Sequence, residues 1–283
     1  MTEQERGAST GFLDRLVWDT AAQVLAPSIR FDDERVIDLH LWIGGQVRIE
    51  ATGRLRCTHC SRPTRKSFGQ GYCYPCFRKL AQCDLCIVSP TRCHRAEGTC
   101  REPEWADGFC MAPHSVYLAN SSGLKVGLTR AGNEARRWAD QGAVQGLVLA
   151  HCDTRLVAGQ LEASIAEIIS DRTNWRRLIR APADAVDLET AAAAIREQVP
   201  MAVEGVRWAA DSVRTLNYPV LNYGPVKSMN FDKSPTIEGH LLGVKGQYVL
   251  LDIGAVNLRR HTGYELRWEL RSPPQDSPVE GSW

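Results

Sequence analysis

The spacing of apolar residues changes several times along the chain, and each change predicts an element. Phe12, Leu16, Val17, Ala21, Val24 and Leu25 recur at helical spacing, which predicts an amphipathic helix ending near Pro27. From Val36 to Glu50, apolar and polar residues alternate on both sides of Gly44-Gly45, the pattern of a hairpin. Residues 57–112 carry so little Leu and Ile that a conventional core is out of reach, so a metal has to hold this stretch together. Ser115–Leu118 and Leu124–Leu128 read as short strands around an Asn-Ser-Ser-Gly turn. Asn133–Gln141 reads as a helix and Val144–His151 as a strand. Arg155–Ser170 reads as an amphipathic helix, with Leu156, Gly159, Ile165 and Ile168 among its small and apolar positions. The order β-β-α-β-α predicts a compact mixed unit.

Residues 183–210 form an Ala-rich helical stretch that Pro200 interrupts. From Tyr218 to Leu270 the pattern turns to strands with glycines at short intervals, as small β-barrels require. The N-terminal hairpin and this C-terminal region are both β, and one barrel built from the two is the expectation. No long internal repeat is visible. The predicted fold class is α+β. It comprises an N-terminal helix and hairpin (1–53), a zinc-binding module (54–112), an α/β domain (113–180), a helical linker with a β-rich, barrel-like domain (181–270), and a disordered polar tail (271–283).

Composition narrows the class. The hydrophobic fraction is 43% and the charged fraction 24%, values of an ordinary globular protein. No stretch approaches the roughly 20 apolar residues of a membrane helix. The opening MTEQERGAST lacks the basic start and apolar core of a secretory signal, so a cytoplasmic protein without a membrane partner is expected. The net charge is +1, but it is unevenly spread. Arg54–Arg101 holds ten Lys and Arg against two Asp and Glu, a local charge of +8. Such a block attracts a phosphate backbone.

Nine of the ten cysteines fall between Cys57 and Cys110. In a reducing compartment, paired cysteines this dense point to metal or redox chemistry. Cys57-x2-Cys60-x12-Cys73-x2-Cys76 is a zinc-ribbon pattern: each CxxC turn aims two thiolates at one ion, and two turns close a tetrahedron. Cys83 and Cys86 form a third knuckle. Together with Cys100 and Cys110 they are the first choice for a second zinc, with His94 the main rival and Cys93 a further candidate. Cys152 reads as a buried apolar filler and His59 as a surface residue.

Pro113–Arg180 resembles the GIY-YIG nuclease fold. Ser115-Val116-Tyr117 stands where that family has its first motif, and Lys125-Val126-Gly127 stands where it has its second. Arg136-Arg137-Trp138 lies on the next helix, with Arg137 the better match to the family arginine. Glu162 stands where the metal-binding Glu sits, and Asn174 follows at the distance seen in excision-repair incision nucleases. Ser115 replaces a glycine, and Lys125 replaces an active-site tyrosine. The strings GQGYCYPC, CREPEW, VYLA, KVG, RWADQGA, DRTNW, VKGQY and NLRRHTGY resemble, over nearly the whole chain, a bacterial zinc-ribbon family catalogued as a domain of unknown function.

The GIY-YIG resemblance implies a phosphodiester hydrolase acting on DNA or RNA. Its catalytic set would be Tyr117, Lys125, Arg137 and Glu162, with Glu162 holding Mg2+ or Mn2+. Arg62, Arg65, Lys66, Arg136 and Trp138 are the expected nucleic-acid contacts, and Tyr72, Tyr74 or Phe77 could stack on unpaired bases. Tyr117 is expected to orient or deprotonate water. The alternative is a non-catalytic nucleic-acid-binding or adaptor protein on the same scaffold, in which Lys125 marks a decayed site.

Overall fold

The computed structural model describes residues 6–170, 172–199 and 204–273. Along the chain run β1 (Arg6–Asp19), β2 (Ala26–Phe31), β3 (Val36–Asp38), β4 (Gln46–Leu55), α1 (Tyr74–Lys79), α2 (Pro103–Phe109), β5 (His114–Asn120), β6 (Leu124–Arg130), α3 (Glu134–Asp140), β7 (Gln145–Cys152), α4 (Arg155–Ala166), α5 (Trp175–Leu178) and α6 (Leu188–Gln198). Then follow β8 (Val206–Trp208), β9 (Arg214–Thr215), β10 (Ser228–Met229), β11 (Thr236–Lys245), β12 (Tyr248–Leu251), β13 (Gly254–Asn257) and β14 (Tyr264–Arg271). Two compact units result. The first is Met1–Phe77, Ile179–Ala181 and Asn217–Trp283, and the second is Arg78–Leu178 with Pro182–Leu216. The expected module 54–112 is thus divided after Phe77.

The first unit is one sheet in the order β10-β13-β12-β11-β4-β14-β1-β2-β3. The N- and C-terminal β regions do share this sheet, but it is open rather than a closed barrel. Without β10, the order is symmetric about the β4–β14 ladder, with β1–β4 and β11–β14 as two equivalent halves. The registers agree in detail. Leu13 faces Phe31 before a bulge at Asp14, and Leu241 faces Leu251 before a bulge at Leu242. Phe12 pairs Glu265 as His240 pairs Gln46. Gly263 N donates to Leu13 O (2.8 Å) as Gly44 N donates to Leu241 O (2.7 Å). Both glycines are left-handed, with φ 90° at Gly44 and 85° at Gly263, where a side chain would be strained. A 3-10 turn precedes each of them, Leu39–Trp42 and Leu258–His261.

The duplication can be traced in the sequence once it is seen. Asp38-Leu39-x-x-Trp42-x-Gly44 matches Asn257-Leu258-x-x-His261-x-Gly263, and Val47-Arg48-Ile49-Glu50 matches Leu266-Arg267-Trp268-Glu269. The match lies mostly in apolar type and backbone geometry, too weak a signal to read as a repeat from identity alone. The same features explain two other differences from expectation. The N-terminal segment is strand, not helix. The bulge at Asp14 puts Leu13, Leu16 and Trp18 on one buried face; the residues at helical spacing are divided, with Phe12 and Val17 on the other face and Ala21 in the bend after Asp19. The Gly44-Gly45 segment is no hairpin, because the 3-10 turn sends β3 to β2 and β4 to β11 and β14. The expected tail lies largely outside the described residues, apart from Arg271–Pro273.

The second unit is built on a sheet in the order β6-β5-β7-β8, with β9 also pairing β7. The strands and helices expected over 115–166 are present, and α6 occupies part of the Ala-rich stretch before Pro200. Val116, Leu118, Val126, Leu128, Leu147 and Leu149 form a core with Ala158, Leu161 and Ile165 of α4 and Leu188, Ala192 and Ile195 of α6. Cys152 is buried in that core as expected. Thr154 caps α4 by accepting from Val157 N (3.3 Å), and Asp187 caps α6 by accepting from Thr190 N (2.9 Å).

His261 reports on the C-terminal half of the first sheet. It is 1% exposed, its Nδ1 donates to Asn257 O (3.0 Å), and its Nε2 accepts from Phe231 N (3.3 Å). Both nitrogens are therefore engaged in the neutral form. Burial holds its pKa below the ordinary 6.5, and the nearby Arg260 charge acts in the same direction, against Asp232. The unfolded chain then binds the proton more readily, so this stability is full above pH 6.5 and is lost as pH falls below it. Buried His114 of the second unit carries the same sign. The urea midpoint is expected to fall between pH 7.5 and pH 5. His261→Gln should remove part of that fall, and an unaltered pH dependence in the variant would assign it to other groups.

Candidate functional site

The four cysteines of the ribbon converge. The Sγ atoms of Cys57, Cys60, Cys73 and Cys76 lie within 4.8 Å of one another. Zinc–sulfur bonds of about 2.3 Å in a tetrahedron set S···S edges of about 3.8 Å, and Cys60 Sγ stands 3.8 Å from Cys73 Sγ. The knuckle backbones impose this approach. Ser61 N donates to Cys57 O, and Ser61 has φ 57°, which turns the chain away after Cys60. Thr58 N donates to Gly71 O, and a Cβ on Gly71 would stand 2.8 Å from Thr58 Cγ2, so only glycine lets the second knuckle pass.

The thiols are tuned against one another. Burial opposes ionising Cys57, yet the backbone N–H groups of Cys60, Cys73 and His59 bring it down to about 6. Burial and the neighbouring thiols of Cys73, Cys60 and Cys57 push Cys76 up. Crowded thiols cannot all ionise without a cation, and a divalent ion reverses that logic. The array fits zinc in donor type, number and spacing.

A second group lies in the other unit. Asp84, Cys86 and His94 bring their ligand atoms within 4.8 Å of one another. A cavity of about 10 Å³ is lined by these three and by Cys93, Cys100 and Cys110 among others. Of the expected second set, Cys86, Cys100 and Cys110 are present in the lining, and so are both rivals, Cys93 and His94. Cys83 is not among the lining residues, and Asp84 was not foreseen.

The α/β segment gathers another cluster. Tyr117 is 0% exposed, and its hydroxyl donates to Gln141 Oε1 (3.0 Å). Burial raises its pKa. The Arg137 guanidinium, which also shares a hydrogen bond with it, and Gln141 work the other way, while Glu162 adds to the rise. Arg137 of α3 and Glu162 of α4 are thus each within electrostatic reach of Tyr117 on β5. Lys125 is 4% exposed and pairs with Ala119, two residues from Tyr117, so it lies on the same sheet face. Gly127 makes the geometry possible: a Cβ there would stand 2.5 Å from the Tyr117 hydroxyl oxygen.

Several expected roles change. The fully buried phenol with a raised pKa stays protonated, so it is no base for water. Trp138 is buried (5%) across Gly146 and edge-on to Tyr117, and it packs rather than presenting itself to nucleic acid. Asn174 Oδ1 accepts from Arg176 N and Arg177 N, capping α5. Arg62, Arg65, Lys66 and Arg136 are exposed. Of the +8 block, Arg54, Arg56, Arg95 and Arg101 are paired with Glu265, Asp32, Asp107 and Asp84. Arg62, Arg65 and Lys66 have no ion pair among the described residues. Tyr74 is exposed and is grouped with Phe68 and Phe77.

Two residues at the cluster were not foreseen. Gln141 takes the Tyr117 hydrogen bond. Arg155, at the start of α4, is near Cys110, Glu162, Cys86 and Arg137, and burial is the main influence lowering its pKa. Neither stands in a recognisable motif, and only the fold brings them close.

The fold and the converged thiols define an α+β protein with a four-cysteine cluster suited to zinc. Residues 44–266 match the family described as Protein of unknown function (DUF2797), and the chain belongs to that family. No curated protein and no solved structure matches the chain. No helix among the described residues is long and apolar enough to cross a membrane.

Two outcomes are expected. Cys57→Ser with Cys60→Ser should remove the zinc of the ribbon, read by metal analysis, and expose residues 61–72 to limited proteolysis. Gly127→Ala should destabilise the second unit by about 1–3 kcal/mol, because the Tyr117 ring has to leave its seat. Denaturant unfolding of the two proteins measures the difference.

Proposed function

We propose that the second unit is a metal-dependent phosphodiester hydrolase of GIY-YIG type acting on nucleic acid. The observation that carries this is the shared neighbourhood of Tyr117, Arg137 and Glu162, drawn from three elements in the family's order. Arg137 Nε is buried with no hydrogen-bond partner among the described residues, and a phosphate oxygen would supply the missing acceptor. Glu162 would be the protein ligand of Mg2+ or Mn2+, with water and phosphate oxygens completing the shell, as hard cations prefer. The metal would polarise the phosphate. Arg137 binds the phosphate and faces the developing charge. Protonated Tyr117, held by Gln141, orients Arg137, and Lys125 adds a second positive charge on the same face. In the first unit, Arg62, Arg65 and Lys66 on the four-cysteine ribbon are by themselves a candidate phosphate-contacting run, with Tyr74 exposed for stacking.

The test is incubation of purified protein with single- and double-stranded DNA, RNA and tRNA, with Mg2+, Mn2+ or chelator. Cleavage should require the metal, vanish in Glu162→Gln, and fall by roughly 10²–10³ in Arg137→Ala, as for loss of one charge-stabilising donor. Wild-type cleavage by Glu162→Gln would end the assignment.

A second reading is a non-catalytic binding protein on a degenerate scaffold. It is favoured by one observation, Lys125 in place of the family's tyrosine beside a fully buried Tyr117. It predicts salt-dependent binding without cleavage. In either reading, neutralising Arg62, Arg65 and Lys66 together should weaken duplex binding. The slope of log K against log salt should flatten by about 0.9 for each phosphate that is no longer neutralised. An unaltered slope would remove the ribbon from the interface.

A further inference from the structure

Three chemically different donors meet in the cysteine-rich loop of the second unit. Asp84, Cys86 and His94 bring a carboxylate oxygen, a sulfur and a ring nitrogen within 4.8 Å of one another. Among the described residues, no further Cys, His, Asp or Glu joins this group at that distance. The three line a cavity of about 10 Å³, a hollow on the scale of a single water molecule or ion. His94 Nε2 stands 3.6 Å from Asp84 Oδ2, which is too far for a hydrogen bond. It is close to the nitrogen-to-oxygen edge of about 3.3 Å that zinc bonds of about 2.0–2.1 Å set in a tetrahedron.

The donors are held from behind, as ligating imidazoles and carboxylates are. His94 Nδ1 is bonded to Thr99 Oγ1 (2.7 Å). With the Thr99 hydroxyl donating to His94 O (3.4 Å), Nδ1 carries the ring proton and Nε2 keeps its lone pair for a metal. Arg101 Nε pairs with Asp84 Oδ2 at 2.6 Å, and its Nη1 donates to Leu80 O (3.2 Å). The backbone around Cys86 is fixed as well. Ile87 N donates to Asp84 O (3.1 Å), and Arg155 of α4 donates to Ile87 O (2.6 Å). The loop is pressed close to that helix: a Cβ on Gly159 would stand 2.4 Å from Pro90 Cβ. Charge supplies a further argument. One carboxylate and one thiolate cancel the two charges of zinc, so the three ligands and the ion carry no net charge into the cavity. A set of one oxygen, one nitrogen and one sulfur suits zinc, whereas Mg2+ and Ca2+ call for oxygen throughout.

We propose that Asp84, Cys86 and His94 bind a second zinc ion whose fourth position is open to water or a small anion. Three protein ligands and one exchangeable position distinguish this centre from the closed four-cysteine ribbon. Cys93 and Cys100 line the same cavity without ligating the ion. The centre holds whether or not the chain cleaves nucleic acid.

Zinc-loaded, desalted wild-type protein should hold two zinc ions per chain by metal analysis. One should remain in each of Asp84→Ala, Cys86→Ser and His94→Ala, and both should remain in Cys93→Ser and in Cys100→Ser. Replacement of zinc by cobalt needs no substitution in the chain. The sulfur-to-cobalt charge-transfer band of the wild type should exceed that of the ribbon alone, as seen in Cys86→Ser, by about one quarter, one thiolate added to four. Cyanide should shift the visible cobalt bands of the wild type by entering the open position, and that response should vanish in His94→Ala while the bands of the closed ribbon persist. A single zinc in the wild type, two in any of the three ligand variants, loss of the second zinc in Cys93→Ser or Cys100→Ser, or a wild-type cobalt spectrum indifferent to cyanide overturns the proposal.

Discussion

The ladder between β4 and β14 is the constraint on which the first unit rests. It pairs residues 46–55 with residues 264–271, and the whole second unit lies between them in sequence. Each half then lends its long first strand to the other: β1 adds to β14 and β11 adds to β4. Neither half can satisfy its own edge hydrogen bonds alone, because its natural neighbour belongs to the other copy. The ribbon is threaded onto the same framework. Arg56 N donates to Gly263 O immediately before Cys57, so the first knuckle leaves the sheet from a fixed point.

In the second unit, close approaches that only glycine permits do comparable work on a smaller scale. Gly127 lets the Tyr117 ring cross the edge strand, and Gly146 lets the Trp138 indole lie against β7. The Arg137 guanidinium and the Glu162 carboxylate each act on the phenol seated in this way. The burial that collects these groups also changes their chemistry. A fully enclosed phenol keeps its proton and can position other groups, but it is a poor base.

Charge along the sequence and charge in the fold are different quantities. The basic stretch from Arg54 to Arg101 loses much of its excess to carboxylates, of which Glu265, Asp32 and Asp107 lie outside it. What remains exposed and without an ion pair on the ribbon, among the described residues, is the short run Arg62, Arg65 and Lys66. The cysteines show a similar contrast: spacing places them in pairs, but burial and neighbouring dipoles decide which thiol ionises first.

Local chemistry made the ribbon ligands and the β-β-α-β-α segment legible from the residues alone. A CxxC turn and a strand of alternating apolar residues are set by neighbours a few positions away. The duplicated sheet, the division after Phe77 and the partners of Tyr117 were not legible in this way, since each depends on residues brought together from distant positions. The bulge at Asp14 shows why even an element type can mislead. Apolar residues from both faces of the bulged strand and from the bend after it happen to fall at helical intervals, and only pairing with β2 and β14 decides that the segment is a strand. Sequence determined which donors were available, and tertiary structure decided which of them meet, because convergence is a property of packing rather than of spacing.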